Sequence, residues 1–212
     1  LKILNIDISL NALEFIKKEN SIKNIKIETS ENSIKNFTSI LSSINYDLSR
    51  FIFYSQINKG LIKFKLDTEF NSVEDKIVSY TFSGNIKDAK FNLVGNSSLD
   101  NINFNFKAKD RLTKISNLNF RYKDINFLSK SIEIKNEESG MHYINGDIEN
   151  DKALINPNII FNLANIKQDF LSKEDIPLKS KNLFSFSLKK YKLKNLKIDS
   201  FINFDEVYFS NK

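Results

Sequence analysis

Between Leu99 and Lys135 the sequence alternates apolar and polar residues almost without a break. Ile102, Phe104, Phe106 and Ala108 are interleaved with Asn103, Asn105, Lys107 and Lys109. Leu118, Phe120 and Tyr122 alternate with Asn119, Arg121 and Lys123, and Ile132 and Ile134 with Glu133 and Lys135. A period of two sends successive side chains to opposite faces, so these are strands with one apolar and one wet face. Asp110-Arg111 and Lys123-Asp124 are too short for a crossover, so neighbouring strands are joined as antiparallel hairpins. The expected fold is mainly β: an extended, twisted antiparallel sheet, a β-groove or half-barrel of repeated hairpins.

The same grammar runs through most of the chain. Leu4, Ile6, Ile8 and Leu10 alternate, and Ile25 and Ile27 begin a second strand. The period then changes. Ile34, Phe37, Leu41, Ile44 and Leu48 recur at three- and four-residue spacing, which predicts one main α-helix near the N-terminus, about Glu31 to Ser49. Thr29 and Ser30 are candidate N-caps, and Glu31 suits the first turn. This helix is expected to bury its stripe on one end of the sheet. Strands predominate over 50–209: Phe51 to Ile57, Leu61 to Thr68, Ile77 to Gly84, Ala89 to Gly95, the stretch above, Met141 to Ile148, Ala153 to Leu163, Phe184 to Leu188, Tyr191 to Ile198 and Phe201 to Phe209. Asn165 to Lys181, with Pro177, reads as a loop. No shift in composition divides the chain, so residues 1–212 read as a single repeat-built segment.

Two internal repeats refine this. The first is apolar-x-Asn-apolar-x-apolar, at Ile3 to Ile8, Ile22 to Ile27, Leu99 to Phe104, Ile115 to Phe120 and Leu193 to Ile198. Apolar residues three apart and then two apart cannot share a face of a regular strand. One residue must be absorbed, and Asn tolerates the left-handed conformation that a bulge needs. The second matches Gly84-Asn85-Ile86-Lys87-Asp88-Ala89-Lys90 with Gly146-Asp147-Ile148-Glu149-Asn150-Asp151-Lys152. Phe82 precedes the first Gly as Ile144 precedes the second. Each Gly is expected to end or kink its strand.

Chemistry-bearing motifs are missing. The chain has one His, His142, and nothing in its spacing supplies a triad or metal partner. Glu74-Asp75, Glu137-Glu138 and Asp205-Glu206 are adjacent pairs that face opposite ways on a strand, so they read as solvated positions rather than acid–base pairs. No phosphate loop, dinucleotide fingerprint, zinc-protease helix or nucleophile elbow occurs. Asn36-Phe37-Thr38 and Asn96-Ser97-Ser98 fit the glycosylation sequon, which Asn-rich chains generate freely. No catalytic residue, metal or cofactor is assigned, and the chain reads as a non-enzyme. The net charge of +6 is carried by scattered Lys; only Arg50, Arg111 and Arg121 are Arg. Nucleic-acid recognition favours Arg forks, so no nucleic-acid partner is expected and the Lys read as a solvated strand face. The absence of Cys excludes disulfides without choosing a compartment. No run of about eighteen apolar residues suits a transmembrane helix.

A one-sided apolar sheet must cover that side. Each Phe or Leu taken from water contributes roughly 1.5–3 kcal/mol, so a wet row of them would cost more than a domain's net stability. Either the sheet is sealed by a second layer, as in a structural or adhesive repeat domain, or something apolar lies in it.

The Gly-[Asn/Asp]-Ile-x-[Asp/Asn] segments, the series ISNLNFRYKDINFLSKSIEIK and the ending LKNLKIDSFINFDEVYF resemble the AsmA-like superfamily, especially its YhdP- and TamB-type members. The resemblance spans roughly Phe70 to Phe209. It implies a β-groove in the periplasm that carries phospholipid or another acyl-chain lipid between inner and outer membranes. It also implies a longer protein, anchored to the inner membrane by a segment outside this sequence, and no catalytic residues. The in-phase apolar residues are then candidates to line the groove: Phe91, Leu93, Ile102, Phe104, Phe106, Leu118, Phe120, Tyr122, Ile132, Ile134, Phe161, Phe184, Phe186 and Leu188.

Overall fold

The computed structural model describes residues 1–11, 16, 22–38, 56–71, 76–93, 97–123, 125–156, 175–190 and 192–204. They form eleven strands: β1 (Ile3–Leu10), β2 (Ile22–Thr29), β3 (Asn32–Ser33), β4 (Ile57–Asn71), β5 (Lys76–Asn92), β6 (Ser98–Lys109), β7 (Leu112–Tyr122), β8 (Ile125–Asn136), β9 (Met141–Ile155), β10 (Ile176–Lys189) and β11 (Lys192–Phe204). All belong to one sheet in the order β1-β2-β4-β5-β6-β7-β8-β9-β10-β11, with β3 paired to β4. Every pairing is antiparallel. The sheet does not close, because β1 and β11 lie at opposite ends of the order. The fold is therefore mainly β, an open meander, as the alternation predicts.

The expected strand boundaries need correction. Ile77 to Gly84 and the stretch from Ala89 as far as Asn92 are parts of one strand, β5, while Val94 and Gly95 lie outside the described residues; likewise Met141 to Ile148 and the start of Ala153 to Leu163 form β9. The expected strands Tyr191 to Ile198 and Phe201 to Phe209 join in β11 from Lys192 to Phe204, their remaining residues lying outside the described ones. Neither Gly84 nor Gly146 ends a strand. Gly84 lies between Phe64 and Phe106 in the ladder, and Gly146 between Ile132 and Phe184. A Cβ on Gly84 would stand 2.9 Å from Phe106 Cζ, and one on Gly146 would stand 3.0 Å from Phe184 Cζ. Each Gly leaves room for a neighbouring Phe ring to lie across the strand, a close approach rather than a break. The expected loop Asn165 to Lys181 is strand from Ile176 onward. Pro177 is the second residue of β10, ahead of its outermost pair with β11, Leu178 with Phe204. A missing N–H is tolerated at a strand start.

The helix is described over residues 34–38 and starts later than Glu31. Thr29 belongs to β2, and Asn32–Ser33 pair with Ile62 and Leu61 of β4. Thr29 therefore does not cap a helix. Fully buried, its hydroxyl donates to Phe64 O and accepts from Phe64 N, closing the ladder where β2 breaks off. The Asn32 amide binds both backbone groups of Lys2 and so extends the sheet edge by a side chain. Of the helical stripe, Ile34 is buried and Phe37 packs 5.1 Å from the Phe64 ring; Leu41, Ile44 and Leu48 lie outside the described residues, as do 51–55. Ile34, Ile62, Phe64 and Phe106 form a buried cluster under this helix on β4–β6, and Ile144, Ala153, Ile176 and Leu178 are buried on β9 and β10.

The Asn repeat acts as expected at three of its five positions. Asn101, Asn117 and Asn195 have φ of 53°, 54° and 53°, in the left-handed region. Each sits at a step where its strand holds one residue more than its neighbour. Asn5 and Asn24 also flank irregular steps, without positive φ. Asp88, at φ 49°, makes the same bulge in β5. The amide groups freed by such bulges are taken up across the sheet. Asn103 accepts from Asp88 N and donates to Asn101 O and Asn119 Oδ1, while the Asp147 carboxylate accepts from Lys130 N and Ser131 N.

Candidate functional site

Directly paired residues of antiparallel strands project from the same face. The register therefore traces apolar rows across the sheet. One row runs Ile6, Ile27, Leu66, Phe82, Ala108, Thr113, Ile134, Ile144, Phe186, from β1 to β10. A second runs Phe64, Gly84, Phe106, Ile115, Ile132, Gly146, Phe184, Ile198, from β4 to β11. Flanking them are Ile62–Ile86–Phe104, Ala89–Ile102, Ile57–Phe91–Leu99, Leu118–Ser129, Phe120–Phe127 and Tyr122–Ile125. Leu188 pairs with His142 and Leu193 on the same side.

Twelve of the fourteen residues nominated from sequence thus lie on strands of one face. Leu93 follows β5, with its N–H on Ser97 O at 2.7 Å, and Phe161 lies outside the described residues. The bulges keep that face in phase: if Asn101 stood in a regular strand instead of a bulge, Leu99 and Ile102 would point to opposite sides. The nomination missed Phe127, whose ring stacks on Phe120 at 5.2 Å, and the earlier members Ile62, Phe64, Phe82 and Ile86. All stand in the same alternating pattern and could have been found by extending it to β4 and β5.

Burial is uneven along this face, which is closed under the short helix and again on β9 and β10, where Ala153, Ile176 and Leu178 are buried. Under the short helix, Phe106 is 9% exposed and Phe64 6%. Beyond it, Leu118, Phe120, Tyr122, Ile132, Phe184 and Phe186 are all half-buried, shielded by neighbours in the sheet. No second sheet packs on them among the described residues. Exposure is greater at the two ends, with Ile8 at 56% and Ile198 at 56%. Past the Leu128–Glu149 pair, β8 and β9 part, and a cavity of about 380 Å³ opens there. Its lining mixes the Phe120–Phe127 stack with Arg121, Asp151 and Lys152.

The opposite face is wet and crossed by ion pairs: Lys26–Asp67 at 3.1 Å, Lys65–Glu28 at 3.1 Å, Lys90–Asp100 at 3.0 Å and Lys114–Glu133 at 2.6 Å. Several of the scattered Lys are thus partnered across strands. Each such exposed pair is worth little alone, but together they oppose a register in which this face turns inward. Lys87 donates to Glu31 at 2.6 Å; that hydrogen bond, then the charge, lowers the Glu31 pKa and raises that of Lys87. The Asp67 carboxyl is lowered chiefly by the hydrogen bond from Asn24, and Asp100 by those from Lys90 and Ser98.

His142 Nδ1 lies 2.7 Å from Asn136 Oδ1 at the exposed end of its strand. Glu138 pairs with Arg111, and Ser139 donates to Glu137; Glu74-Asp75 and Asp205-Glu206 lie outside the described residues. Among the described residues no group of three His, Cys, Asp or Glu could hold a metal ion. What the arrangement offers chemically is apolar surface, laid out in rows and left partly open. No family model, curated protein or solved structure matches this chain.

Proposed function

We propose that this chain is a non-enzymatic lipid-carrying segment, in which acyl chains of phospholipid or a similar lipid lie along the apolar face of the open sheet. The observation that carries this reading is the apolar row that runs from β1 to β10 with no second sheet packed on it among the described residues. Acyl chains would remove the remaining exposed area from water, at roughly 25 cal/mol per Å². Among the described residues Thr113, Ser129 and His142 are single polar breaks in the apolar rows, so a run of similar rows suits chains passing along it. The AsmA-like grammar of the sequence supports the same setting: the periplasm, between inner and outer membranes, with membrane contact made by segments outside this sequence.

Two substitutions test it, read by lipid extraction and native mass spectrometry of the purified chain. Phe106, beneath the helix, is structural, and Phe106→Glu is expected to unfold the sheet by burying an unpaired charge. Phe120 lies outside the helix-covered cluster, so Phe120→Glu should fold and lose bound lipid. A parent protein that carries no lipid, or a folded Phe120→Glu that carries as much as the parent, overturns the reading. Unfolding of both variants would mean a sealed core.

A further inference from the structure

Beyond the Leu128–Glu149 pair, residues 125–127 of β8 pair with β7 alone among the described strands, while the end of β9 follows β10, with Ala153 opposite Leu178. The cavity of about 380 Å³ opens at this parting, inside the sheet and away from its outer strands. Pairing and alternation put Asn119, Arg121 and Asn126 on the wet side and Phe120 and Phe127 on the apolar side, so residues of both faces line one opening. Asp151 and Lys152 join them from β9, at a bulge where these two residues lie opposite Lys179 alone. Arg121 and Lys152 against Asp151 leave the lining with an excess of positive charge. Arg121 stands across the ladder from Asp100, but that carboxylate holds Lys90 and Ser98 instead. Among the described residues neither the Arg121 guanidinium nor the Lys152 ammonium has a hydrogen-bonding partner. A guanidinium fork binds phosphate oxygens two at a time, and an ammonium adds a point charge. The stacked Phe120 and Phe127 rings supply apolar surface beside them.

We propose that this cavity binds a phosphate monoester carried on an alkyl tail. Arg121 and Lys152 hold the phosphate, and the tail lies on the Phe120–Phe127 stack. Asp151 opposes the anion and keeps affinity below what the two cations alone would give. The site needs the cavity only, and does not depend on acyl chains lying along the rest of the face. A soluble probe therefore tests it apart from the lipid reading.

The test is isothermal titration of the 212-residue chain at neutral pH, with circular dichroism as the check on folding. The probes are dodecyl phosphate, uncharged dodecyl maltoside and inorganic phosphate, the two amphiphiles below their micelle concentrations. Dodecyl phosphate is expected to bind at a single site about tenfold tighter than either of the others, since it alone offers both phosphate and tail. Arg121→Gln and Lys152→Gln each weaken it about tenfold, the worth of a charge-assisted hydrogen bond. Asp151→Asn tightens it by removing the opposing charge. Lys109→Gln, which removes the same charge at the other end of β6, leaves it unchanged. Arg121, Asp151 and Lys152 are exposed, so these variants are expected to fold; should a weakened variant fail to, the gain in Asp151→Asn still reads the site. A parent that binds no dodecyl phosphate overturns the proposal without touching the lipid extraction. Equal affinity for dodecyl maltoside, which would place the tail on the open face alone, also overturns it. So does equal affinity for inorganic phosphate, or a loss in Lys109→Gln as large as in Arg121→Gln.

Discussion

Adding one methyl group at Gly84 and at Gly146 should give different costs, although the two glycines hold matching places in the repeat. At Gly84 the new Cβ would run into the carbonyl oxygen of Lys63 and stand 2.9 Å from Phe64 Cα and Phe106 Cζ. Two of these three obstacles are backbone of β4, so only a wider strand spacing relieves them. That strains the Phe64–Gly84 step of the ladder and weakens the hydrogen bonds around it. Overpacking costs about 1–3 kcal/mol and each weakened backbone bond about 1 kcal/mol. The gain from replacing Gly by Ala in a strand offsets about 0.5–1 kcal/mol. The net for Gly84→Ala is a loss of about 2–4 kcal/mol. At Gly146 the obstacles are Ile132 Cγ1 and Ser131 O, both at 2.9 Å, and Phe184 Cζ at 3.0 Å; only one of them is backbone, and none comes as near as the Lys63 carbonyl oxygen comes at Gly84. Strain of about 1 kcal/mol against the same offset leaves Gly146→Ala within about 1 kcal/mol of the parent. Urea unfolding followed by circular dichroism reads both. With a slope of about 2 kcal/mol per molar, the midpoint of Gly84→Ala should fall by about 1–2 M and that of Gly146→Ala by less than about 0.5 M. Equal shifts, or a Gly84→Ala protein as stable as the parent, would refute the close-approach account of Gly84.

At the bulges, Asn117→Ala should cost about 1–2 kcal/mol, the penalty for an ordinary side chain in the left-handed region, while Asn117→Gly should stay within a few tenths. Denaturant midpoints of the two variants decide it, and equal destabilisation would point to lost side-chain contacts instead. Acid should weaken the fold in a defined direction: Glu31, Asp67, Asp100 and Glu138 have lowered pKa values, so the folded protein keeps them ionised where the unfolded chain takes up protons. Their contribution is present above the ordinary carboxylate range and is lost as pH falls through the lowered values. Urea midpoints between neutral pH and about pH 3 should fall less steeply for Glu31→Gln than for the parent; a steeper fall would contradict the assignment.

The strands β6 to β8 were legible because everything that defines them is local. Their apolar residues alternate, and their turns place Asp110 and Lys123 at φ 52° and 46°. Gly84 and Gly146 were misread because the reason for each lies on other strands, in the rings of Phe106 and Phe184. The helix start was misplaced for the same reason. Asn32 and Ser33 carry no strand pattern of their own; they are strand because β4 offers Ile62 and Leu61, and because Lys2 holds the Asn32 amide. The candidate face was legible as a phase. Its uneven burial was not, since only the packing of Ile34 and Phe37 separates Phe106 from Phe120.

Keeping one face apolar over ten strands is a problem of accumulated phase. A single slip turns every later side chain of a strand to the wrong side. Regular strands would avoid slips, but bulges add local twist, and this chain uses them repeatedly. Each bulge is corrected where it occurs. The apolar spacing lengthens from two to three residues, Asn or Asp takes the left-handed position, and a side-chain amide or carboxylate can bind the freed backbone. On the far side, cross-strand lysine–carboxylate pairs penalise the inverted register. A sequence that corrects phase at Asp88, Asn101, Asn117 and Asn195 is preserving a surface that runs across strands rather than a set of separate hairpins.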